Sequence, residues 1–219
     1  MSSNALQGSI PWSFGQVTPF TSVILDLSNN NLTGEIPSTL TRSDASLQYL
    51  SLSYNNLHGE ILSFEFNMSS LECMELNNNG FTGMILSSLS YSFNLKILNI
   101  RKNKLRGIIP SWISKFSNLG ALLLGGNHFE GHIPSQLCEM QKLGVLDLSS
   151  NSLSWGIPRC VNNTSFWKED YGNASGSSMY LTVYWETYNF YTRGNDYLEN
   201  DDKRLNCFHH KKHGILFQR

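Results

Sequence analysis

The sequence has no long apolar run and few charged residues. No segment reaches the roughly 20 consecutive apolar residues of a membrane-spanning helix, and the first residues have neither the basic flank nor the apolar run of a signal peptide. Charged residues make up 15% of the chain and the formal net charge is -1, which indicates neither nucleic acid nor an anionic membrane as a partner. We expect any membrane attachment to depend on a helix that this chain lacks.

Cysteine is also scarce, and motifs for catalysis are missing. The four cysteines are too few for a small disulfide-dense domain. No glycine-rich phosphate loop precedes a helix, and no histidine lies beside a serine or cysteine in a nucleophile motif. Cys207 lies close to His209, His210 and His213, but without a second cysteine pair this segment reads as a charged tail rather than a zinc site. We therefore expect no enzyme activity, no cofactor and no bound metal.

What the sequence does contain is one pattern repeated over nearly three quarters of its length. The segment LDLSNNNLTGEIP begins at Leu25, and five further copies follow, at a step of 25 residues and then four steps of 24. Asn4 begins another copy whose front is missing. One asparagine holds the same place in every complete copy: Asn30, Asn55, Asn79, Asn103, Asn127 and Asn151. A pattern LxLxxNxLxGxIP in about seven copies predicts a repeat solenoid.

The residue types in each copy fit one coil of such a solenoid. Leu25 and Leu27 alternate, so both point inward from a short strand, while Leu32 and Ile36 return inward on the far side of the coil. Each buried aliphatic side chain contributes about 1.5–3 kcal/mol, so stacked coils build one continuous core. The amide of Asn30 and its equivalents would satisfy backbone groups where the strand turns. The inner strands are therefore predicted to form a parallel sheet on the concave side.

The pattern resembles the plant-specific class of leucine-rich repeats. That class builds the ectodomains of plant receptor kinases, receptor-like proteins and polygalacturonase-inhibiting proteins. Residues 125–166, GGNHFEGHIPSQLCEMQKLGVLDLSSNSLSWGIPRCVNNTSF, are similar to the last repeats before the non-repeat island of receptor-like proteins. The resemblance implies a right-handed α/β leucine-rich-repeat superhelix over residues 1–161 and a non-repeat island, ordered or disordered, over residues 162–219.

Cys138 and Cys160 occupy the places of two cysteines in this family. They fall on adjacent coils, which are close enough for the Cα spacing of a disulfide. Two reduced, buried thiols are the alternative. An extracellular setting favours the disulfide.

The resemblance also implies a function. It suggests a non-catalytic recognition module on the extracellular side of the plasma membrane, acting in defence or developmental signalling. The expected partners are an extracellular peptide or protein ligand and a co-receptor kinase. Two alternatives stay open: a secreted inhibitor similar to the polygalacturonase-inhibiting proteins, which lack an island, and a truncated product without a function of its own. The chain starts inside a coil, which is what we expect of a fragment.

Side chains between the inward leucines would project from the concave sheet, the usual contact surface of a solenoid. The candidates for ligand contact are Tyr49, Ser51, Ser53, Glu75, Asn77, Asn99, Arg101, Leu123, Asp147 and Ser149. At each of them, plain solvated surface is the alternative. Asp26 and Asp147 share a place in the repeat, which favours a solvated strand position over a catalytic pair.

Glycosylation sequons are a further secretory signal. They begin at Asn31, Asn67, Asn162, Asn163 and Asn173. A chain rich in asparagine and serine also produces some sequons by chance. Asn31 follows Asn30 directly, so its side chain is expected to point outward and to be available for a glycan.

Overall fold

The computed structural model describes residues 1–16, 23–41, 47–61, 68–154 and 156–160, together with short strands between residues 184 and 216. The repeat region contains thirteen of the described strands. In chain order they are Gln7–Ser9 (β1), Val23–Asp26 (β2), Asn31–Gly34 (β3), Leu47–Ser51 (β4), Asn56–Glu60 (β5), Cys73–Glu75 (β6), Gly80–Thr82 (β7), Ile97–Asn99 (β8), Arg106–Ile108 (β9), Ala121–Leu123 (β10), His128–Gly131 (β11), Val145–Asp147 (β12) and Ser152–Leu153 (β13).

The even-numbered strands form the concave sheet. They pair in parallel in the order β12-β10-β8-β6-β4-β2, with equivalent repeat positions side by side from β4 onward. The odd-numbered strands form lateral sheets, one with β1, β3, β5 and β7 and one with β9, β11 and β13. This arrangement confirms the predicted repeat solenoid with a parallel sheet.

Short 3-10 helices close the coils after the lateral strands. They span Trp12–Gln16, Ser38–Thr41, Ser87–Tyr91, Ser111–Lys115 and Ser135–Glu139. Pro110 and Pro134 each precede one of these helices in an extended conformation. Residues 111–120 and 135–144 then lead to the next concave strand, and the helix occupies five residues of each segment. A helix of that length favours the tighter 3-10 form over an α-helix, and the described residues contain no α-helix.

The core is a continuous column of side chains from successive coils. Phe81, Phe116 and Phe129 are its largest fully buried members. The first inward leucine or methionine of each coil from β4 onward is also buried: Leu50, Met74, Leu98, Leu122 and Leu146. Since these residues recur at the repeat spacing, every coil depends on its neighbours for burial of its apolar side.

The repeated asparagines lie in one line at the end of the concave strands. Asn103 is representative: its Oδ1 accepts a hydrogen bond from the Phe81 backbone N–H at 3.1 Å, and its Nδ2 donates to the carbonyl oxygens of Leu76 at 3.0 Å and Ile100 at 3.1 Å. Each amide thus bonds to its own coil and to the preceding one. The same pattern recurs at Asn30, Asn55, Asn79, Asn127 and Asn151.

A disulfide joins the last two coils of the repeat region. Cys138, in the 3-10 helix Ser135–Glu139, is bonded to Cys160, and their Cα atoms are 6.1 Å apart. The bond therefore fixes the final described coil to the one before it.

Beyond residue 160 the structure describes only short strands. Two antiparallel pairs are formed by Tyr184–Trp185 with Tyr188–Asn189 and by Tyr191–Arg193 with Asp196–Leu198. The strand Gly214–Leu216 pairs in parallel with β12. The division into repeats up to residue 161 and an island from residue 162 stays a prediction.

Candidate functional site: the concave sheet

The concave sheet carries side chains in three rows that run across the strands. The first row comprises Ile24, Tyr49, Cys73, Ile97, Ala121 and Val145. The middle row comprises Asp26, Ser51, Glu75, Asn99, Leu123 and Asp147. The third row, two residues further along each coil, comprises Ser28, Ser53, Asn77, Arg101, Gly125 and Ser149. One edge of the face is therefore apolar, and the remainder is polar apart from Leu123 and Gly125.

All ten predicted contact residues lie in these rows, but most are less accessible than expected. Tyr49 and Arg101 are partly buried. The other eight are buried: Ser51, Ser53, Glu75, Asn77, Asn99, Leu123, Asp147 and Ser149. The expectation that Asp147 occupies a solvated strand position is wrong, because its side chain is 0% exposed. Some of these side chains contact one another, which the repeat pattern does not reveal.

Contacts along single strands are one part of this packing. Asp147 Oδ1 accepts hydrogen bonds from the Ser149 backbone N–H at 2.9 Å and from Ser149 Oγ at 2.6 Å. Asp26 and Ser28 repeat the arrangement with distances of 3.1 and 2.6 Å. The shared Asp-x-Ser spacing therefore closes a local turn in both coils.

Contacts between coils are the other part. Arg101 Nε lies 2.6 Å from Asp147 Oδ2, although Arg101 follows strand β8 and Asp147 ends strand β12, and neither atom makes a hydrogen bond. The guanidinium passes over the coil between them, where Gly125 occupies the third row. A Cβ atom on Gly125 would lie 2.5 Å from Asp147 Oδ2. The missing side chain thus makes room for the carboxylate that meets Arg101.

Glu75 is the most perturbed titratable group of the described residues. Burial raises its pKa to about 7, and the nearby charge of Asp26 adds to the shift, while a hydrogen bond with the Tyr49 side chain opposes it. Cys73, itself disulfide-bonded, has its sulfur 3.9 Å from Glu75 Oε1. A sulfur in a disulfide has no proton to donate, so this contact is packing rather than a hydrogen bond.

The accessible part of the concave face lies at its first strands. Ile24 on β2 is 61% exposed, and Asp26 and Ser28 are partly buried. Together with Tyr49 they form a mixed apolar and polar patch, which we call the β2–β4 patch. Ile24 is absent from the candidates that the sequence predicts, although it precedes its LxL motif as Tyr49 does.

Other predicted sites are only partly covered by the structure. Asn31 is exposed on β3, whereas the sequons at Asn67, Asn162, Asn163 and Asn173 lie outside the described residues. Within the described ranges, no three His, Cys, Asp or Glu side chains are grouped so as to hold a metal ion. A search of the same residues finds no helix long and apolar enough to span a bilayer.

A family model identifies the repeats. The leucine-rich-repeat model matches residues 23–43, 46–68, 94–116 and 142–164. The coils of β6 and β10, which lie between these matches, have the same strands and the same asparagine hydrogen bonds. This chain contains leucine-rich repeats. Among proteins with curated descriptions, none matches it.

Solved plant receptor structures have similar repeats. The plant peptide hormone receptor RGFR1, in complex with RGF2, is 30% identical with a TM-score of 0.62, over 75% of this chain and 30% of that chain. The Arabidopsis receptor kinase HAESA, in complex with the peptide hormone IDA and the co-receptor SERK1, is 30% identical with a TM-score of 0.61, over 75% and 31%.

A third structure extends this comparison. The ectodomain of GASSHO1/SCHENGEN3 from Arabidopsis thaliana, in complex with CASPARIAN STRIP INTEGRITY FACTOR 2, is 29% identical with a TM-score of 0.63, over 74% of this chain and 22% of that chain. The leucine-rich-repeat chain thus spans less than a third of the length of these receptors. The comparisons confirm its resemblance to plant leucine-rich-repeat receptor ectodomains.

Proposed function

We propose that this leucine-rich-repeat chain is part of a non-catalytic ectodomain of a plant receptor, on the extracellular side of the plasma membrane. Its ligand is a peptide or protein that binds the concave sheet, and its signalling partner is a co-receptor kinase. The observation that carries the proposal is the β2–β4 patch, where exposed Ile24 and partly buried Tyr49 lie beside the polar middle row. An apolar anchor beside hydrogen-bonding groups is the composition of a peptide-recognition surface.

Similar receptors support this choice of ligand. RGFR1, HAESA and GASSHO1/SCHENGEN3 have been solved in complex with RGF2, IDA and CASPARIAN STRIP INTEGRITY FACTOR 2, and HAESA also with the co-receptor SERK1. We propose glycosylation at Asn31 as well, since its side chain is exposed. A role in defence and a role in development are both compatible with such a module.

The proposal is tested by selecting ligands with the full chain. A displayed library of random 12-residue peptides is panned against the protein, and the Kd of the selected peptides is measured by calorimetry. We expect Ile24→Asp and Tyr49→Ala each to weaken binding about tenfold, since truncation of a central apolar or aromatic contact typically costs more than 1 kcal/mol.

Two matched variants serve as controls. Ile108→Asp alters an isoleucine that is 63% exposed on the lateral strand β9, and Tyr91→Ala alters an exposed tyrosine of a 3-10 helix. Both should bind the selected peptides like the unaltered chain. Two outcomes would contradict the proposal: that no peptide is selected, or that the selected peptides bind less tightly only to the control variants. Inhibition of a fungal polygalacturonase by the chain would instead support the alternative of a secreted inhibitor.

A further inference from the structure

The concave face contains a buried acceptor without a donor. Asn77, on the coil of β6, is buried, and its Oδ1 has no hydrogen-bond partner. A buried acceptor left unpaired typically costs about 1–3 kcal/mol, and strain, a bound water, an ion or a functional role of the site is the usual explanation. Asn77 follows Glu75 by two residues, which places both side chains on the same face of the coil.

Glu75 lies among groups that do not neutralise it. Tyr49 on β4 contributes a hydrogen bond, and Asp26 on β2 contributes a second negative charge. On the other side, β8 ends at Asn99, and Arg101 follows two residues later. The guanidinium of Arg101 lies against Asp147 on β12, away from β6. None of the described Lys, Arg and His residues forms an ion pair with Glu75.

Two buried carboxyl groups of the middle row therefore differ in one respect. The carboxylate of Asp147 has a guanidinium from the same chain at 2.6 Å, whereas the carboxyl group of Glu75 has no cation among the residues that the structure describes. Burying a carboxylate is costly unless a positive charge or several donors compensate for it. Glu75 and Asn77 together present acceptor oxygens to a group that would have to bring both charge and N–H donors.

We propose that Glu75 and Asn77 form a cation subsite of the concave face, which accepts a guanidinium or ammonium group of a peptide ligand. The proposal rests on the proposed function, because the ligand approaches from the β2–β4 patch next to it. Arginine and lysine side chains offer several N–H donors and no acceptor, which matches two acceptors side by side. The raised pKa of Glu75 fits the same picture, since a buried carboxyl group without a cation favours its neutral form.

The subsite is tested with a pair of small probes. N-acetyl-arginine amide is titrated into the full chain, and binding is followed by NMR at the side-chain amide of Asn77. N-acetyl-citrulline amide, which has nearly the same shape without the charge, is the matched probe. We expect the arginine probe to bind at least about tenfold more tightly than the citrulline probe, since hydrogen bonds to charged groups contribute about 1.5–3 kcal/mol.

Two further comparisons identify Glu75 as the group that recognises the charge. Glu75→Gln should weaken the arginine probe about tenfold, whereas Glu130→Gln, at an exposed residue of the lateral strand β11, should leave it unchanged. The unaltered chain should also bind the probe about tenfold more tightly at pH 8 than at pH 6, because Glu75 ionises with a pKa of about 7. The Glu75→Gln variant should show no such pH dependence.

Several results would overturn the subsite. Equal binding of both probes, unchanged binding to Glu75→Gln, or no binding of the arginine probe at pH 8 would each show that water alone completes the acceptor of Asn77. These results leave the peptide selection intact, because that experiment depends on Ile24 and Tyr49. Conversely, the chain could select no peptides and still bind the arginine probe more tightly than the citrulline probe. That result would refute the proposed function and leave only a cation site.

Discussion

At the scale of single residues, the asparagine line decides the stability of the turns. Each amide satisfies backbone groups of two coils at once, as at Asn103, whose four hydrogen bonds involve Phe81, Leu76, Ile100 and Arg101. The residue before each line asparagine adopts a left-handed conformation, for example Lys102 with φ of 50°. That conformation is unfavourable for a residue with a side chain, so the hydrogen bonds of the amide have to compensate for it.

We therefore expect Asn103→Ala to lower the free energy of unfolding by about 3 kcal/mol, because several buried backbone groups would lose their partner. Urea denaturation followed by circular dichroism measures the change. Asn56→Ala is the control, since Asn56 is exposed on β5 and should shift stability by less than about 0.5 kcal/mol. Equal effects of the two substitutions would argue against a special role for the line.

The residue scale also shows where prediction from the sequence ends. The place of Asn103 follows from the repeat alone, because only one position per coil is always asparagine. The ion pair between Arg101 and Asp147 does not follow from the repeat. It joins two residues 46 positions apart, and neither residue type is part of the repeat pattern. Accessibility on the concave face depends on such irregular side chains, so the repeat placed the candidate residues correctly on the face and overestimated their exposure.

At the scale of elements, the spacing of the repeat predicts the concave strands better than the helices. The LxL motif predicts the concave strands, because alternating inward residues suit only an extended segment. The segments after Pro110 and Pro134 form 3-10 helices, which the pattern does not distinguish from short α-helices. The lateral strands, such as β9 and β11, have no strong apolar alternation and become visible only in the structure.

The disulfide gives a prediction for the last elements. It closes a chain segment with a sequence separation of 22 residues, which corresponds to about 3 kcal/mol of stabilisation in the chain-entropy model. We expect the variant with both Cys138→Ala and Cys160→Ala to be less stable by about that amount.

Hydrogen exchange shows where the stability is lost. Protection in the double variant should fall first at β11 and β12, next to the broken link, while β4 keeps its protection. A uniform loss along the chain would show instead that the solenoid opens as a single unit.

At the scale of the whole molecule, the solenoid is one column whose coils stabilise one another. This architecture was predicted correctly, because a period of 24 residues repeated six times constrains every coil in the same way. The repeat does not distinguish a receptor ectodomain from a secreted inhibitor, since both classes of protein have the same repeats and differ in surface detail.

The free energy of unfolding of the whole chain should depend on the ionisation of Glu75. The formal net charge is only -1, so charge repulsion over the whole molecule contributes little. The pKa of Glu75 is about 7 in the folded chain, against an ordinary value of 4.5. The folded state therefore holds a proton that the unfolded state loses, and the contribution of Glu75 to stability declines as pH rises from about 4.5 to about 7, by up to about 3 kcal/mol.

This pH dependence is measured by urea denaturation at pH 5 and pH 8. The unaltered chain should lose more stability between these values than the Glu75→Gln variant, whose side chain does not titrate. A variant that loses as much stability as the unaltered chain would show that Glu75 is not protonated in the folded state.

The contact between Arg101 and Asp147 spans the coil of Gly125. It therefore limits how this array of repeats can gain or lose a coil. Most coils interact only with the next one, so copying or deleting a unit leaves equivalent junctions behind. Between Arg101 and Asp147, however, an inserted coil would move the two charges apart by about 4.8 Å and leave the buried Asp147 and the partly buried Arg101 without a counterpart. The three coils that carry Arg101, Gly125 and Asp147 should therefore be gained or lost together, whereas the other coils can be copied or deleted singly.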